Sequence, residues 1–420
     1  MKLFGDDSYK RNFLAFLFHG VFLNMATAFS QLTTIQSSFV YLITGSSLLS
    51  GVLFAANRAG MIIPQMFLAP IIEKRAYKKI FLLLAVSIRG VSWLAIAVVT
   101  YFYAETHPQI VALVYFAVTL VFFLAGGMGD VTYYDILAKS IPTGARGRLS
   151  GAKILFGGAL SMAAGYLTKL ILSRPGGFGA NYALLFLLTA FALFIAFFGF
   201  YSLKEPPGKP PREAHKESYK KRVLRLVRSD HNFMRFVFAE FFLNASMILF
   251  PFYVIYAKEE LGMPLEVIGI FVTIQIVGEL VSGPVLGWIG DRYNFRLVMI
   301  LVGAASFMAP LLALFLPALH LYAYAVVFLF VGMTFKGVVT GTANYLMEFA
   351  PQNELPTYVA VKNTLQMPTI AFPVIGGLLI PLIGYEVLFI AVALLSLVGT
   401  VLTKNLICVR KVHGQLPTEY

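Results

Sequence analysis

Long apolar stretches separated by short polar turns dominate the chain from end to end. A transmembrane α-helix needs about 20 mainly apolar residues to cross the hydrocarbon core of a bilayer. The turns between the stretches carry Pro, Gly or charged residues, which end helices. The pattern predicts twelve spans, at residues 12–38, 46–72, 80–103, 109–134, 150–172, 181–203, 232–256, 265–289, 296–317, 321–346, 357–383 and 386–407.

The first and seventh spans share an internal repeat. Residues 12–24 read NFLAFLFHGVFLN and residues 232–244 read NFMRFVFAEFFLN, with seven of thirteen positions identical. Duplicated membrane proteins commonly build two bundles around a shared binding site. We therefore expect an all-α membrane protein with 12 transmembrane helices in two pseudo-symmetric six-helix bundles. The predicted parts are an N-terminal bundle (1–203), a basic linker (204–230), a C-terminal bundle (231–408) and a tail (409–420).

Composition supports a membrane protein and excludes several other classes. Hydrophobic residues make up 59% of the 420 positions and charged residues only 13%, whereas soluble domains carry about 25% charged residues. The single cysteine excludes an intrachain disulfide, a four-cysteine zinc site and an iron–sulfur cluster. The first apolar stretch is long enough to span a bilayer and lacks a small-residue cleavage pattern, so we expect it to remain as the first helix.

The basic residues predict the orientation in the membrane. Lys and Arg concentrate in the loops of one side, and loops rich in Lys and Arg stay cytoplasmic. We therefore expect both termini in the cytoplasm, in a prokaryotic plasma (inner) membrane. Topology then accounts for the net charge of +13 without a nucleic-acid partner. The linker is either an amphipathic helix on the inner leaflet or a solvated basic connector.

Two further pairs of segments repeat between the halves. The turn after the second span contains Ala69, Glu73 and Arg75, and the turn after the eighth contains Gly287, Asp291, Arg292 and Arg296 at an offset of 218. The segment 135–153 overlays 344–362 at an offset of 209, which aligns Pro142 with Pro351 and Lys153 with Lys362. A charged turn alone reflects topology. Its duplication at corresponding positions indicates a specific architecture.

These turns resemble those of the major facilitator superfamily, which carries a G-x-x-x-D-R-x-x-x-R type motif after its second helix, often repeated after its eighth. The resemblance implies twelve helices, alternating access and a cytoplasmic latch that stabilises the outward-facing state. Ala69 and Glu73 depart from the usual Gly and Asp, so the first latch is expected to be the weaker. The implied latch residues are Glu73, Arg75, Asp291, Arg292 and Arg296.

Polar residues within the spans are the candidate binding residues. The spacing of Asn24, Thr27, Gln31 and Thr34 predicts one polar face on the first helix. The resemblance implies that helices one, four, seven and ten border a cavity. Asn24 and its repeat partner Asn244 are cavity residues or interhelical packing residues. Arg58 binds an anionic group or neutralises a buried acid. The substrate-cavity candidates are Asn24, Gln31, Arg58, Tyr134, Asn244 and Lys336.

Acidic residues in the spans are the candidate proton carriers. A carboxylate as deep in a helix as Glu240 must be neutral, paired or hydrated. It is either a coupling site or part of a fixed ion pair with Lys336. Asp130 has a gating role or a substrate role, and Glu279 lies one helical turn beyond Gln275. The coupling candidates are thus Glu240, Asp130 and Glu279. His19 aligns with Ala239 in the repeat, and a packing role fits it better than a role in proton relay.

The expected function is secondary active transport of a small organic or amphipathic solute, coupled to protons. A lipid or lysolipid flippase on the same scaffold is the alternative, because of the 39 phenylalanines and the basic inner rim. A membrane-embedded enzyme fits less well, since the chain has no HExxH, GxSxG or ligand-spaced Cys/His pattern. A non-transporting receptor fits less well because the predicted outer loops are too short to form a soluble domain. We expect no catalytic residues, metal or cofactor. The expected partners are the solute, protons and the bilayer, and the expected state is a monomer.

Overall fold

The computed structural model describes residues 7–73, 75, 77–207, 224, 226–228, 230–351 and 354–408. These residues form helices and turns, and no β-strand occurs among them. Eleven helical segments in this part of the chain are long and apolar enough to cross a membrane. The protein is therefore an all-α, multi-pass membrane protein, as its sequence predicts.

The helices of the first half follow the apolar stretches, with bounds a few residues longer than expected. A π-helical turn at Leu32–Gln36 separates the first two. The helices are α1 (Asp7–Phe29), α2 (Ser37–Thr44), α3 (Ser47–Glu73), α4 (Lys79–Tyr103), α5 (Pro108–Ser140), α6 (Thr143–Leu172) and α7 (Phe178–Ser202).

The second half repeats this order. Short 3₁₀ turns at Asn244–Ile248, Leu321–Ala325 and Met367–Ala371 connect or begin helices. The helices are α8 (His231–Leu243), α9 (Phe252–Glu259), α10 (Val267–Arg292), α11 (Phe295–Leu319), α12 (Val326–Phe349), α13 (Leu355–Leu365) and α14 (Phe372–Lys404).

The last two predicted spans differ from the structure in their boundaries. The segment Met367–Lys404 forms one continuous candidate span, which contains most of both predicted spans. Within it Gly384 has φ 77° and ψ 170°, so the backbone leaves the helical conformation there. Glycine adopts a positive φ at little steric cost because it has no Cβ. The twelfth span thus follows the eleventh across a single kinked residue.

The first span is not the straight helix that its polar spacing assumes. α1 ends at Phe29, and Gln31 has φ −57° and ψ 122°, outside the helical region. The prediction that Asn24, Thr27, Gln31 and Thr34 share one face of one helix is therefore wrong beyond the break. The seventh span is interrupted as well, between α8 and α9. Broken helices in membrane proteins often line a cavity, where their free backbone groups can be satisfied.

The chain forms two compact units, Met1–Glu213 with Met263–Thr273, and Ala214–Gly262 with Ile274–Tyr420. Close helix packing in each unit depends on glycine. In the first, a Cβ on Gly127 would lie 2.7 Å from the carbonyl oxygen of Gly60, and in the second, a Cβ on Gly332 would lie 2.1 Å from that of Gln275. Small residues let helices approach closely in membranes.

The predicted linker and tail lie mostly outside the described residues. Leu226, near the end of the linker, is buried in the apolar core of the second unit with Phe233 and Phe236. The tail, 409–420, is outside the described residues. The domain boundaries inferred from the sequence stay a prediction.

Candidate functional site

Glu240 forms a buried ion pair in the second unit. Its Oε1 lies 3.0 Å from Nζ of Lys362, which reaches it from α13. The side chain of Glu240 is 5% exposed and that of Lys362 15% exposed. The alternative partner predicted from the sequence, Lys336, is wrong, because Lys336 lies exposed on α12. The pair satisfies the requirement that a carboxylate at this depth be neutralised or hydrated.

Gln366 extends the ion pair by one helical turn. Its Nε2 donates to the carbonyl oxygen of Val237 at 2.8 Å and to Oε2 of Glu240 at 3.5 Å. Nδ2 of Asn244 donates to Oε1 of Gln366 at 3.5 Å. Asn244 caps the C-terminus of α8 four residues after Glu240, and Gln366 caps α13 four residues after Lys362, so the members of each pair lie one helical turn apart on the same side. The four side chains form a polar cluster between the two helices.

This polar cluster lies where regular helix stops. α8 ends at Leu243 and is followed by the 3₁₀ turn that begins at Asn244. α13 ends at Leu365, and a second 3₁₀ turn begins at Met367. A 3₁₀ stretch within a longer helical segment often marks a functional hinge. The ion pair is thus positioned on the last turns of two helices whose backbones change conformation immediately afterwards.

The first unit has a matching crossing between α1 and α6. A Cβ on Gly20 would lie 2.6 Å from Cδ of Lys153, and a Cβ on Gly157 would lie 2.4 Å from Nδ2 of Asn24. The stem of Lys153 therefore lies across Gly20, and the Asn24 amide lies against Gly157. Lys153 donates a hydrogen bond to the hydroxyl of Tyr133 on α5, and its Nζ is 5.0 Å from the centre of that ring.

The coupling candidate Asp130 lies on α5, one helical turn before Tyr134. Asp130 interacts electrostatically with Arg89 of α4. The guanidinium of Arg89 lies 4.6 Å from the centre of the Phe122 ring, so Arg89 connects its helix to α5. Tyr134 is 67% exposed. Asp130 thus has a basic neighbour, while Tyr134 presents an open aromatic surface.

The remaining candidates are dispersed. Gln275 is fully buried and its Nε2 donates to Oε1 of Glu279 at 3.2 Å, so the coupling candidate Glu279 interacts along its own helix. Gln31 is buried beside the break after α1, and Arg58 is half-buried on α3. His19 is buried, stacks on Phe200 with ring centres 3.5 Å apart, and its Nδ1 is 3.0 Å from the carbonyl oxygen of Ala196.

The latch candidates are mostly exposed. Arg75, Asp291 and Arg292 lie at the surface of the chain, and the Glu73 side chain lies outside the described residues. Arg296 donates from Nη1 to the carbonyl oxygen of Leu406 at 2.9 Å, close to the end of α14. In this structure Arg296 therefore ties the start of α11 to the end of the last helix.

A second charged cluster lies at the start of α4. Lys78 contacts Asp135 at 2.8 Å, and Lys139 contacts Asp135 at 2.6 Å and Glu205 at 3.2 Å. Glu205, whose side chain is 3% exposed, also accepts hydrogen bonds from the backbone N–H groups of Lys78 and Lys79. It satisfies two donors that the start of a helix leaves without intrahelical partners. The cluster connects α4, α5 and the chain after α7.

Among the described residues, no group of three or more His, Cys, Asp or Glu side chains could hold a metal ion. The family comparison decides the class of protein. The model of the Major Facilitator Superfamily matches residues 13–368 and, in a second match, 241–414. The chain belongs to the Major Facilitator Superfamily. It is therefore a transporter and not an enzyme.

Solved structures of other facilitator transporters share the fold. The nucleoside transporter NupG is similar with a TM-score of 0.69 and 14% identity, covering 94% of this chain and 99% of the other. A D-xylose-proton symporter gives 0.68 and 14%, covering 96% and 98%. A POT family transporter in complex with a thioalcohol-conjugated peptide gives 0.68 and 12%, covering 93% and 95%. A comparison with curated protein sequences found no match.

The sequence of this facilitator reveals only part of its polar clusters. The repeats align Gly20 with Glu240 and Lys153 with Lys362, yet they do not say that the first and fifth, or seventh and eleventh, spans cross at those positions. Lys153, Lys362 and Gln366 are consequently absent from the predicted site. Glu205 is also absent, because it begins the segment interpreted as a linker. For Glu205 the available signal is its acidic side chain at the end of the sixth span.

Proposed function

We propose that this protein moves a small organic solute by alternating access and couples that movement to protons through Glu240. The observation that carries the proposal is the ion pair between Glu240 and Lys362. The pair is buried, joins two helices of the second unit, and stands beside two changes of helix type. Proton coupling requires a group whose charge state favours one conformation over another.

Protonation of Glu240 would remove one charge of the buried pair and leave the ammonium of Lys362 without its counterion. Loss of one member of a buried pair costs about 3–5 kcal/mol. A change of about 5.5 kcal/mol is enough to move a two-state equilibrium from 1:99 to 99:1. Loss of the pair therefore supplies more than half of the free energy that such a switch needs. Gln366 bonds both Glu240 and the α8 backbone, so it would transmit that change to the end of α8.

The test is transport in proteoliposomes with an imposed pH gradient. The solute panel is taken from the structural relatives and contains nucleosides, pentoses and short peptides. We expect Glu240→Gln to lose accumulation driven by the gradient while retaining exchange of solute across the membrane. The exposed Glu260 provides the control variant Glu260→Gln, which should accumulate solute normally.

A second variant separates a loss of proton coupling from a loss of folding. Because Glu240→Gln leaves Lys362 unpaired, the double variant Glu240→Gln/Lys362→Met is measured as well. It removes both charges and should also exchange solute without accumulating it. Normal gradient-driven accumulation by either variant would show that Glu240 does not couple transport to protons.

We further propose a prokaryotic plasma membrane location, both termini in the cytoplasm, a monomeric state and a six-plus-six domain division. The one-sided distribution of Lys and Arg in the short loops supports the orientation. Protease-cleavable tags at each end, tested in sealed spheroplasts, report it directly. Cleavage of either tag from outside would contradict the proposed topology.

A lipid flippase is the second candidate, and an exposed groove favours it. The groove lies between α1, α6 and α7, measures about 870 Å³, and is lined by apolar side chains with Arg11 at one end. Its apolar residues include Leu14, Phe18, Phe22, Phe156 and Phe198. Translocation of a fluorescent lysophospholipid in proteoliposomes, together with no transport of the soluble panel, would favour this function over solute transport.

A further inference from the structure

The two units contain the same helix crossing but balance its charge differently. In the first unit Gly20 faces Lys153 and Asn24 faces Gly157, and in the second Glu240 faces Lys362 and Asn244 faces Gln366. The positions correspond through the repeat offsets of 220 for the first helix of each pair and 209 for the second. Each crossing holds one lysine at the same place. Only the second crossing holds a carboxylate opposite that lysine.

Gly20 determines where the Lys153 ammonium goes. Since Gly20 has no side chain, the stem of Lys153 crosses directly over α1 and reaches Tyr133 on α5. The tyrosine hydroxyl accepts a hydrogen bond, but as a neutral group it does not balance a positive charge. Among the described residues, Lys153 has no carboxylate within ion-pair distance, in contrast to Lys362. The lysine is half-buried, so water screens it only partly.

We propose that Lys153 and Tyr133 bind an acidic group of the transported solute, which makes the substrate an organic anion. This inference rests on the proposed transport function. The ammonium supplies the charge that a carboxylate or phosphate requires, and the phenol supplies a hydroxyl donor beside it. The Asn24 amide lies one helical turn along α1 from Gly20, against Gly157, and provides a further neutral donor for the same solute.

Two nearby acids are already engaged elsewhere. Asp130 interacts with Arg89, and Asp135 pairs with Lys78 and Lys139. The arrangement therefore differs from the second unit, where the counterion of the lysine belongs to the chain itself. A negatively charged solute would balance the charge of Lys153 in the first crossing, as Glu240 balances the charge of Lys362 in the second.

The test compares acids with neutral analogues of nearly the same shape. Purified full-length protein is titrated with gluconate and glucose, benzoate and benzamide, and uridine monophosphate and uridine, and binding is followed by thermal shift and calorimetry. We expect the acid of at least one pair to bind more tightly than its neutral analogue. The carboxylate and phosphate pairs then distinguish which anionic group the site prefers.

Substitutions at Lys153 test whether this residue causes the tighter binding of the acid. Lys153→Met should weaken binding of the preferred acid about 10- to 100-fold, as for loss of a charge-assisted hydrogen bond, and should leave binding of its neutral analogue unchanged. Lys153→Arg should retain most of the preference. Lys169, on the same helix, provides the control Lys169→Met, which should bind like the parent protein.

A substitution at Gly20 allows the opposite experiment, which introduces a carboxylate opposite Lys153 at the position that corresponds to Glu240. Gly20→Glu should abolish the preference for the acid by supplying a counterion to Lys153. Gly20→Gln adds a side chain of the same size without the charge, so it should keep more of the preference. A thermal melt of both variants checks that each is folded, since their Cβ atoms require the flexible lysine stem to move.

Two outcomes of the binding measurements overturn this inference. One is equal affinity for acid and neutral analogue in all three pairs, and the other is a preference that survives in Lys153→Met. Both are distinct from failure of the proposed function, which would appear as no solute movement in proteoliposomes. Transport of neutral solutes alone would support the proposed transport function and would contradict the anion site.

Discussion

The buried pair of Glu240 and Lys362 makes a quantitative prediction about stability. Exposed ion pairs contribute about 0–1 kcal/mol, whereas breaking a buried pair costs about 3–5 kcal/mol. The side-chain exposures of 5% and 15% place this pair near the buried limit. We therefore expect Glu240→Gln and Lys362→Met each to lower the free energy of unfolding by about 3–5 kcal/mol.

The double variant should be much less destabilised than the sum of the two single variants. Each single substitution leaves one buried charge without its counterion, while the double substitution removes both charges together. The interaction free energy from the double-mutant cycle should thus be at least about 3 kcal/mol. The measurement is equilibrium unfolding in mixed micelles with increasing denaturing detergent, at fixed pH and salt.

Glu260→Gln is the control for this cycle, because its side chain is exposed and its removal should change the unfolding free energy by less than about 0.5 kcal/mol. An interaction free energy below about 1 kcal/mol would refute the reasoning, since that value is typical of a solvated surface pair. It would also remove the energetic basis for Glu240 as a conformational switch.

Two further substitutions test the packing and the second charged cluster. Gly332→Ala should destabilise the second unit by about 1–3 kcal/mol, because its Cβ would lie 2.1 Å from the Gln275 carbonyl oxygen, while Gly283→Ala, with nothing within 4 Å, should be nearly neutral in the same unfolding assay. Equal effects would contradict the close crossing. Glu205→Ala should cost about 1–2 kcal/mol, because it removes the acceptor for two backbone N–H groups at the start of α4. An unchanged unfolding free energy would show that water replaces that cap.

The architecture was predictable because hydrophobic length and duplication are strong signals. The spans at 80–103 and 181–203 agree with α4 and α7 within about three residues. The repeats also align Lys153 with Lys362 without any knowledge of the contacts. Hydrophobic length does not report backbone breaks, so the interruptions at Gln31 and after Leu243 were missed. Their local sequences remain apolar enough to continue a helix.

The polar contacts were less predictable, because they depend on which helices cross and where. Glu240 was recognisable as an unusual residue, but its partner lies 122 positions away on α13. Lys336, the partner that the sequence offers as one alternative, also lies on a helix of the second half. Only the crossing of α8 and α13 selects Lys362. The roles assigned to the coupling, cavity and latch residues stay predictions until transport is measured.

His19 has a consequence for spectroscopy. A backbone carbonyl can only accept a hydrogen bond, so the contact with Ala196 requires that His19 carry its proton on Nδ1. The ring is also stacked on Phe200, and Gly199 beside it allows α1 and α7 to touch. In protein labelled with ¹⁵N-histidine, this residue should give a resonance of the Nδ1-protonated tautomer with slow solvent exchange. That signal would report on the α1–α7 contact during turnover, with no probe attached to the protein beyond the isotope.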